Sequence, residues 1–189
     1  MMLQTQSRKP FSFPPTPEMV CIEDIAYGLG RINRYAGQAD RFWSVAEHSI
    51  LVSRLVPEPL RLPALLHDAA EAYMNDIPKP VKRLGGNALY DFEVEIMKVI
   101  MNKYVGIHFG WKSPAVTKAD EIVLMSEKEV IFPSDIDWEM NEEPDQKTCE
   151  QIRRWVQSGQ GLPTEIRMGT NTLRFMNRFH ELTDGKYLK

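Results

Sequence analysis

The sequence predicts an all-α fold. Apolar residues recur at helical spacing in several separate stretches, helix-start signatures precede two of them, and no stretch keeps up the apolar–polar alternation of a half-buried strand. At 189 residues the chain is long enough for one domain with a substantial core, taken as residues 1–189.

The elements follow in order. Residues 1–19 read as an irregular arm, interrupted by Pro10, Pro14, Pro15 and Pro17. Residues 22–33 carry Ile22, Ile25, Ala26, Leu29 and Ile32 at helical spacing, weakened by Gly28 and Gly30. A polar loop over 37–42 follows. Ser44 and Glu47 form the pattern of a capping box, in which the serine accepts from a backbone N–H and the glutamate reaches back; the helix it opens should run to about residue 56. Residues 59–75 read as a buried helix that ends before Pro78 and Pro80. Leu89, Phe92, Val94, Ile96, Val99 and Ile100 mark a helix over 87–104, and Ser113-Pro114 starts another that runs to about 132. Residues 133–147 are an acidic loop, expected to be solvated and mobile. Helices over 146–157 and 170–182 complete the chain.

Composition narrows the function. The net charge is −3, which argues against a nucleic-acid polymer as partner but leaves room for a local basic pocket. Cys21 and Cys149 form no paired-cysteine motif and suit a reducing compartment. The first residues lack the apolar core of a signal peptide, and no run approaches the roughly 18 apolar residues of a membrane helix. The expectation is a cytoplasmic protein with no membrane partner.

The chemistry gathers in RLPALLHDAAEAYMNDIPKPVK, residues 61–82. On a wheel with about 100° per residue and His67 at the origin, Glu71 falls near 40° and Asp68 near 100°. Leu62, Leu65, Leu66, Ala69, Ala72 and Tyr73 fill an arc from about 140° to 260°. A solvated face would mix in Lys, Arg, Gln and Ser; this one has none. Asp76 lies at the helix exit, placed to turn back over the polar arc. On the preceding helix, His48 shares its face with Val45, Leu51, Val52 and Leu55, so it points inward. Asp120 shares a face with Val116, Val123 and Leu124, with Glu127 two turns along; a carboxylate there requires a partner or a metal. Three helices thus each turn a potential ligand inward. Two imidazoles and two carboxylates suit one borderline divalent ion per chain, Co, Mn, Zn, Fe or Ni. His108 and His180 have no ligand-like neighbours and read as structural or exposed, which favours a single ion.

The order H…HD…D, filled by His48, His67–Asp68 and Asp120, resembles the signature of the HD-domain metal-dependent phosphohydrolases. The segments INRYAGQADRFWSVAEHS, HDAAEAYMNDIPKPVK and KADE sharpen the likeness to the branch with the bacterial YfbR-type 5′-deoxynucleotidases and the phage DatZ-type dATP triphosphohydrolases. The resemblance covers about residues 22–128. It implies a compact helical HD-domain bundle in which His48, His67, Asp68 and Asp120 bind the metal. Glu71 and Asp76 match an acidic pair near the scissile phosphate, with the roles of base and acid open between them. Arg34 matches a phosphate contact, and Tyr35 stands where the bacterial enzymes place a tryptophan against the deoxyribose. Lys79 and Lys82 are either further phosphate contacts or surface charge. The implied function is hydrolysis of dATP, dADP and dAMP to deoxyadenosine by a homo-oligomer, dimeric or larger and up to a hexamer. The alternatives are a 5′-deoxynucleotidase for several dNMPs and a non-catalytic nucleotide-binding sensor.

Overall fold

The computed structural model describes residues 2–106, 111–132, 136 and 138–187. Among them the fold is helical apart from one small hairpin, in keeping with the expected class. Helix α1 is Ile22–Leu29, α2 Val45–Leu55, α3 Arg61–Leu65, α4 Glu71–Met74, α5 Lys79–Leu84, α6 Asn87–Tyr104, α7 Pro114–Ile131, α8 Gln146–Ser158 and α9 Thr164–Leu182.

The centre of the fold is α2. Every residue from Val45 to Ser53 is buried, as expected of a helix surrounded by others rather than lying on a surface. It packs against α3, α7 and α9. Val45, Ala46 and Ile50 join one apolar core with α1, α6 and α9; Leu51 and Val52 join a second with α7 and α8. The capping box forms as expected. Glu47 N–H donates to Ser44 Oγ at 3.3 Å, and Ser44 N–H donates to Glu47 Oε2 at 2.9 Å. Asn171 of α9 then donates to both acceptors, at 3.0 and 2.8 Å, locking the start of α2 to a distant element.

The structure departs from the sequence reading at five places. The arm is not wholly irregular: Leu3–Gln4 (β1) and Pro10–Phe11 (β2) pair antiparallel, and Phe11 is buried against Tyr73. The first helix stops at Leu29 rather than 33. Beyond it, Arg34 N–H donates to Trp43 O at 2.9 Å and Val45 N–H to Ile32 O at 3.1 Å, so the chain closes a loop over 33–44 instead. The helix expected over 59–75 is split into α3 and α4 by a tight turn whose bonds span three residues, Ala69 to Leu66 and Glu71 to Asp68 among them. The prolines after Asn75 do more than end a helix: Pro78 caps α5 and Pro80 occupies its first turn, where a missing N–H costs nothing. Finally, the last helix begins at Thr164, six residues earlier than expected.

The acidic loop is also less free than its composition suggests, where it is described. Asp145 accepts from Thr148 N–H at 2.8 Å and caps α8, and its own N–H donates to Ser126 Oγ. Trp138 packs on Tyr35 and Phe132. Residues 133–135 and 137 lie outside the described residues.

The segment that carries Glu71 is seated by a close approach between α1 and α4. A Cβ added to Gly28 would stand 2.9 Å from Ala72 Cβ and 3.0 Å from Ala72 Cα. Gly28→Ala is therefore expected to push α4 away and cost about 1–3 kcal/mol, read as a lowered midpoint of thermal unfolding; an unchanged midpoint would show that α4 shifts freely.

Candidate metal centre and cleft

His48, fully buried on α2, is held at both ring nitrogens. Nδ1 lies 2.8 Å from Glu127 Oε1 and Nε2 3.0 Å from Asp120 Oδ1. An ionised carboxylate only accepts, so Glu127 fixes the proton on Nδ1. His67 Nδ1 lies 2.8 Å from Ala64 O, another pure acceptor, which likewise fixes its proton and leaves Nε2 with a lone pair. Both free nitrogens face the same two acids. Asp68 Oδ2 is 3.1 Å from His67 Nε2 and 3.9 Å from His48 Nε2; Asp120 Oδ1 is 3.9 Å from His67 Nε2. His67 Nε2 is buried without a hydrogen-bond partner despite its acidic neighbour.

The four imidazole–carboxylate spacings, 3.0–3.9 Å, suit atoms that share one ion. Ligand atoms bonded to one ion at about 2.0–2.2 Å stand roughly 3–4 Å apart. His48, His67 and Asp68 each offer a ligand atom within 4.8 Å of the others, and Asp120 adds its oxygen beside both imidazoles. The back-side bonds from Glu127 and Ala64 O are the kind that orient metal-binding histidines.

The tight turn between α3 and α4 sets which side chains share one side of the chain. On the continuous helix expected there, adjacent side chains diverge by about 100°. Bonds spanning three residues wind the chain tighter and bring Glu71 onto the side of Asp68.

Charge is in surplus. Arg34 pairs with the fully buried Glu127 of α7 at 3.1 Å. Burial tends to raise the Asp68 carboxyl, but His67, His48 and Arg34 outweigh it and hold the group far below the usual range. Asp120 is likewise held down to about 2: burial opposes this, and the His48 hydrogen bond and charge prevail. Glu71 goes the other way, pushed well up by burial and then by the charges of Asp68 and Asp76. Burial also raises Asp76. Glu71 Oε2 is buried with no partner. A divalent cation would relieve this crowding of acids.

A cleft of about 780 Å³ opens onto the cluster. His67, Asp68 and Asp120 are in its wall, with Glu71, Asp76, Arg34, Tyr35, Lys79 and Lys82; His48 lies behind it. Asp76 reaches the cleft because Asn75 adopts φ +74° and reverses the chain, as the expected helix exit required. Lys79 is largely exposed, 3.8 Å from Asp120 Oδ2, whereas Lys82 is bound to Glu93 at 2.7 Å. Tyr35 and Ala36 both have left-handed backbone, at φ +60° and +52°, a strain of order 1–3 kcal/mol per residue. In loop 33–44 Tyr35 donates its hydroxyl to Glu127, at 2.5 Å.

Three features escaped the sequence reading. Glu127 was noticed only as a neighbour of Asp120. Trp138, assigned to a solvated loop, lines the cleft beside Tyr35. Trp111 lines it as well, with its indole nitrogen buried and without a partner among the described residues. Their signal was an aromatic within a charged or glycine-bounded stretch, too weak to use alone. His180 packs on Phe179 and is not part of the cleft wall, while His108 lies outside the described residues.

His48 also sets a pH dependence. Burial and Arg34 oppose its charge, but Glu127 and Asp120 push its pKa up to about 9. Below that pH a proton occupies the Nε2 lone pair that a metal needs. Affinity for Co is therefore expected to rise with pH towards about 9, by up to about tenfold per unit from this group, then flatten. Cobalt titrations across that range check it; a flat profile would remove His48 from the ligand set.

The fold and its cleft thus define a helical protein with a convergent His/Asp cluster. No family model matches the sequence. The chain is 45% identical over 112 residues to uncharacterized protein YfdR of Escherichia coli (strain K12), covering 58% of this chain and 60% of that protein. It is 38% identical over 114 residues to uncharacterized protein RCAP_rcc00048 of Rhodobacter capsulatus, covering 56% and 55%. The match spans less than two thirds of either relative. Among the described residues no helix is long and apolar enough to cross a membrane.

Proposed function

We propose that the chain is a metal-dependent phosphohydrolase of deoxynucleotides, with dATP the leading substrate and dADP and dAMP beside it. The observation that carries this reading is the meeting of His48, His67, Asp68 and Asp120 at spacings of 3.0–3.9 Å, at the edge of a cleft that also holds Glu71, Asp76 and Arg34. The H…HD…D resemblance supplies the substrate class. The cleft lies within the roughly 300–1,000 Å³ of small-molecule sites and leaves room beyond a first phosphate. We further propose a cytoplasmic homo-oligomer, as the resemblance implies.

His48, His67, Asp68 and Asp120 would hold one ion of Co, Mn, Zn, Fe or Ni, which would supply Lewis-acid chemistry to a phosphate oxygen and a water. Glu71, in the cleft wall with a buried, unpartnered oxygen, accepts the proton of the attacking water. Water adds at the α-phosphorus as the bond to the sugar O5′ breaks. Asp76, raised and nearer the cleft mouth, returns a proton to that oxygen. Arg34 spends its Nε on Glu127 and offers its terminal nitrogens to the phosphate. The Tyr35 ring faces the sugar. Deoxyadenosine leaves with triphosphate, diphosphate or phosphate according to the substrate.

Purified protein with Co or Mn, given deoxy- and ribonucleotides of one to three phosphates, is expected to release deoxyadenosine from dATP. Release from several dNMPs alone would shift the reading to a 5′-deoxynucleotidase. Nucleotide binding without any nucleoside product would leave a sensor. Tyr35→Ala is expected to raise relative activity on ribonucleotides in the same panel; an unchanged deoxy-to-ribo ratio would remove Tyr35 from the sugar site.

A further inference from the structure

Glu127 is not part of the cleft wall, yet it bonds to two residues that are, Arg34 and Tyr35, and to His48 behind it. Its carboxylate is fully buried and accepts four hydrogen bonds. Oε1 takes Trp43 Nε1–H and His48 Nδ1–H, both at 2.8 Å. Oε2 takes Arg34 Nε–H at 3.1 Å and the Tyr35 hydroxyl at 2.5 Å. We propose that Glu127 is a positioning residue that aims a metal ligand, the phosphate-contacting arginine and the sugar-facing tyrosine from one carboxylate, and that it holds Arg34 off Asp68. This rests on the phosphohydrolase reading above.

The helical repeat makes the arrangement possible. Asp120 and Glu127 lie seven residues apart, two turns along one face of α7. The imidazole of His48 is gripped between these two acids of one helix, so it cannot swivel without losing a bond at each end. Arg34 stands between Glu127 and Asp68. Its Nε is on Glu127, and its Nη1 is 4.0 Å from Asp68 Oδ2, the oxygen that faces both imidazoles. Take away the charge on Glu127 and the guanidinium keeps Asp68, whose Oδ2 is 4.0 Å from Nη1, as an ion-pair partner. The arginine then closes on Asp68 and competes with the cation for that oxygen. A glutamine keeps the shape and can still accept from His48 and Trp43 through its carbonyl, but its NH₂ cannot accept from Arg34.

The test uses the metal-free full chain, with Co and inorganic phosphate as probes. Glu127→Gln is expected to weaken Co binding by about 10–100-fold, the usual effect of losing a group that orients a ligand, and to weaken phosphate binding with it. Adding Arg34→Met to Glu127→Gln should recover most of the Co affinity and none of the phosphate binding, with a gain larger than Arg34→Met gives in the wild-type background. General damage to the fold has no reason to be repaired by a second substitution. Unchanged Co affinity in a folded Glu127→Gln, or no recovery in the double variant, overturns the proposal. If Glu127→Gln does not fold, the zinc-loaded wild type serves: nitrogen NMR should find the His48 proton on Nδ1 and protected from exchange, and a proton on Nε2 or a rapidly exchanging one overturns it. Wild type that takes up neither Co nor Zn would instead defeat the functional reading itself.

Discussion

Asp68→Ala and Glu71→Gln are expected to fail in different ways. Asp68 supplies an oxygen 3.1 Å from one imidazole nitrogen and 3.9 Å from the other, so its loss opens the ligand cluster and metal should no longer load. Glu71 lies in the same cleft with an unpartnered buried oxygen but outside the four-ligand set. Glu71→Gln should keep metal at full occupancy and lose turnover by about 10²–10⁴-fold, the range for removing a positioned acid or base. Metal content by elemental analysis, set beside product release, separates the two. Equal metal loss in both variants would make Glu71 a ligand and leave the attacking water without its base.

Phe175→Ala is expected to bring the largest loss of stability. Its ring is fully buried, and α9 packs on both α1 and α2 at this level. Removing a large buried ring costs about 3–5 kcal/mol, which for a chain of this size lowers the unfolding midpoint by roughly 10 °C. The effect should extend to the metal centre. One turn earlier, Asn171 holds the cap of α2 at Ser44 and Glu47, and His48 is the residue after Glu47. Weaker Co binding along with the lower midpoint is the expected pair of results. A lowered midpoint with unchanged Co binding would show that α2 keeps its place without α9.

What the sequence disclosed follows from how local the signals are. α6 matches its expected bounds because periodicity and a break at each end agree. α2 was legible through its capping box, and the inward turn of His48 and Asp120 through the apolar residues on their faces. The break between α3 and α4 was not legible: a wheel accommodates Leu65, Leu66 and Ala69 equally well on one helix or across a tight turn, since both bury the same side. Pro80 was read as a terminator because its effect depends on whether the chain behind it is already helical; here it opens α5. Glu127 was on view as a neighbour of Asp120, but only the folded chain brings Arg34 and Trp43, more than 80 residues away, to its oxygens. Trp138 was hidden by the acids around it.

The hairpin at the start of the chain reaches further than its size suggests. Phe11 stacks on Tyr73 with ring centres 4.3 Å apart, and Ser7 donates from both N–H and hydroxyl to Asp24 of α1. Tyr73 belongs to the same single turn of helix as Glu71. A protease nick at the exposed Arg8 would therefore leave every residue of the cleft in place by composition while slackening the backing of α4. Batches clipped there would give misleadingly weak Co binding, so intact mass should be verified before any comparison between variants.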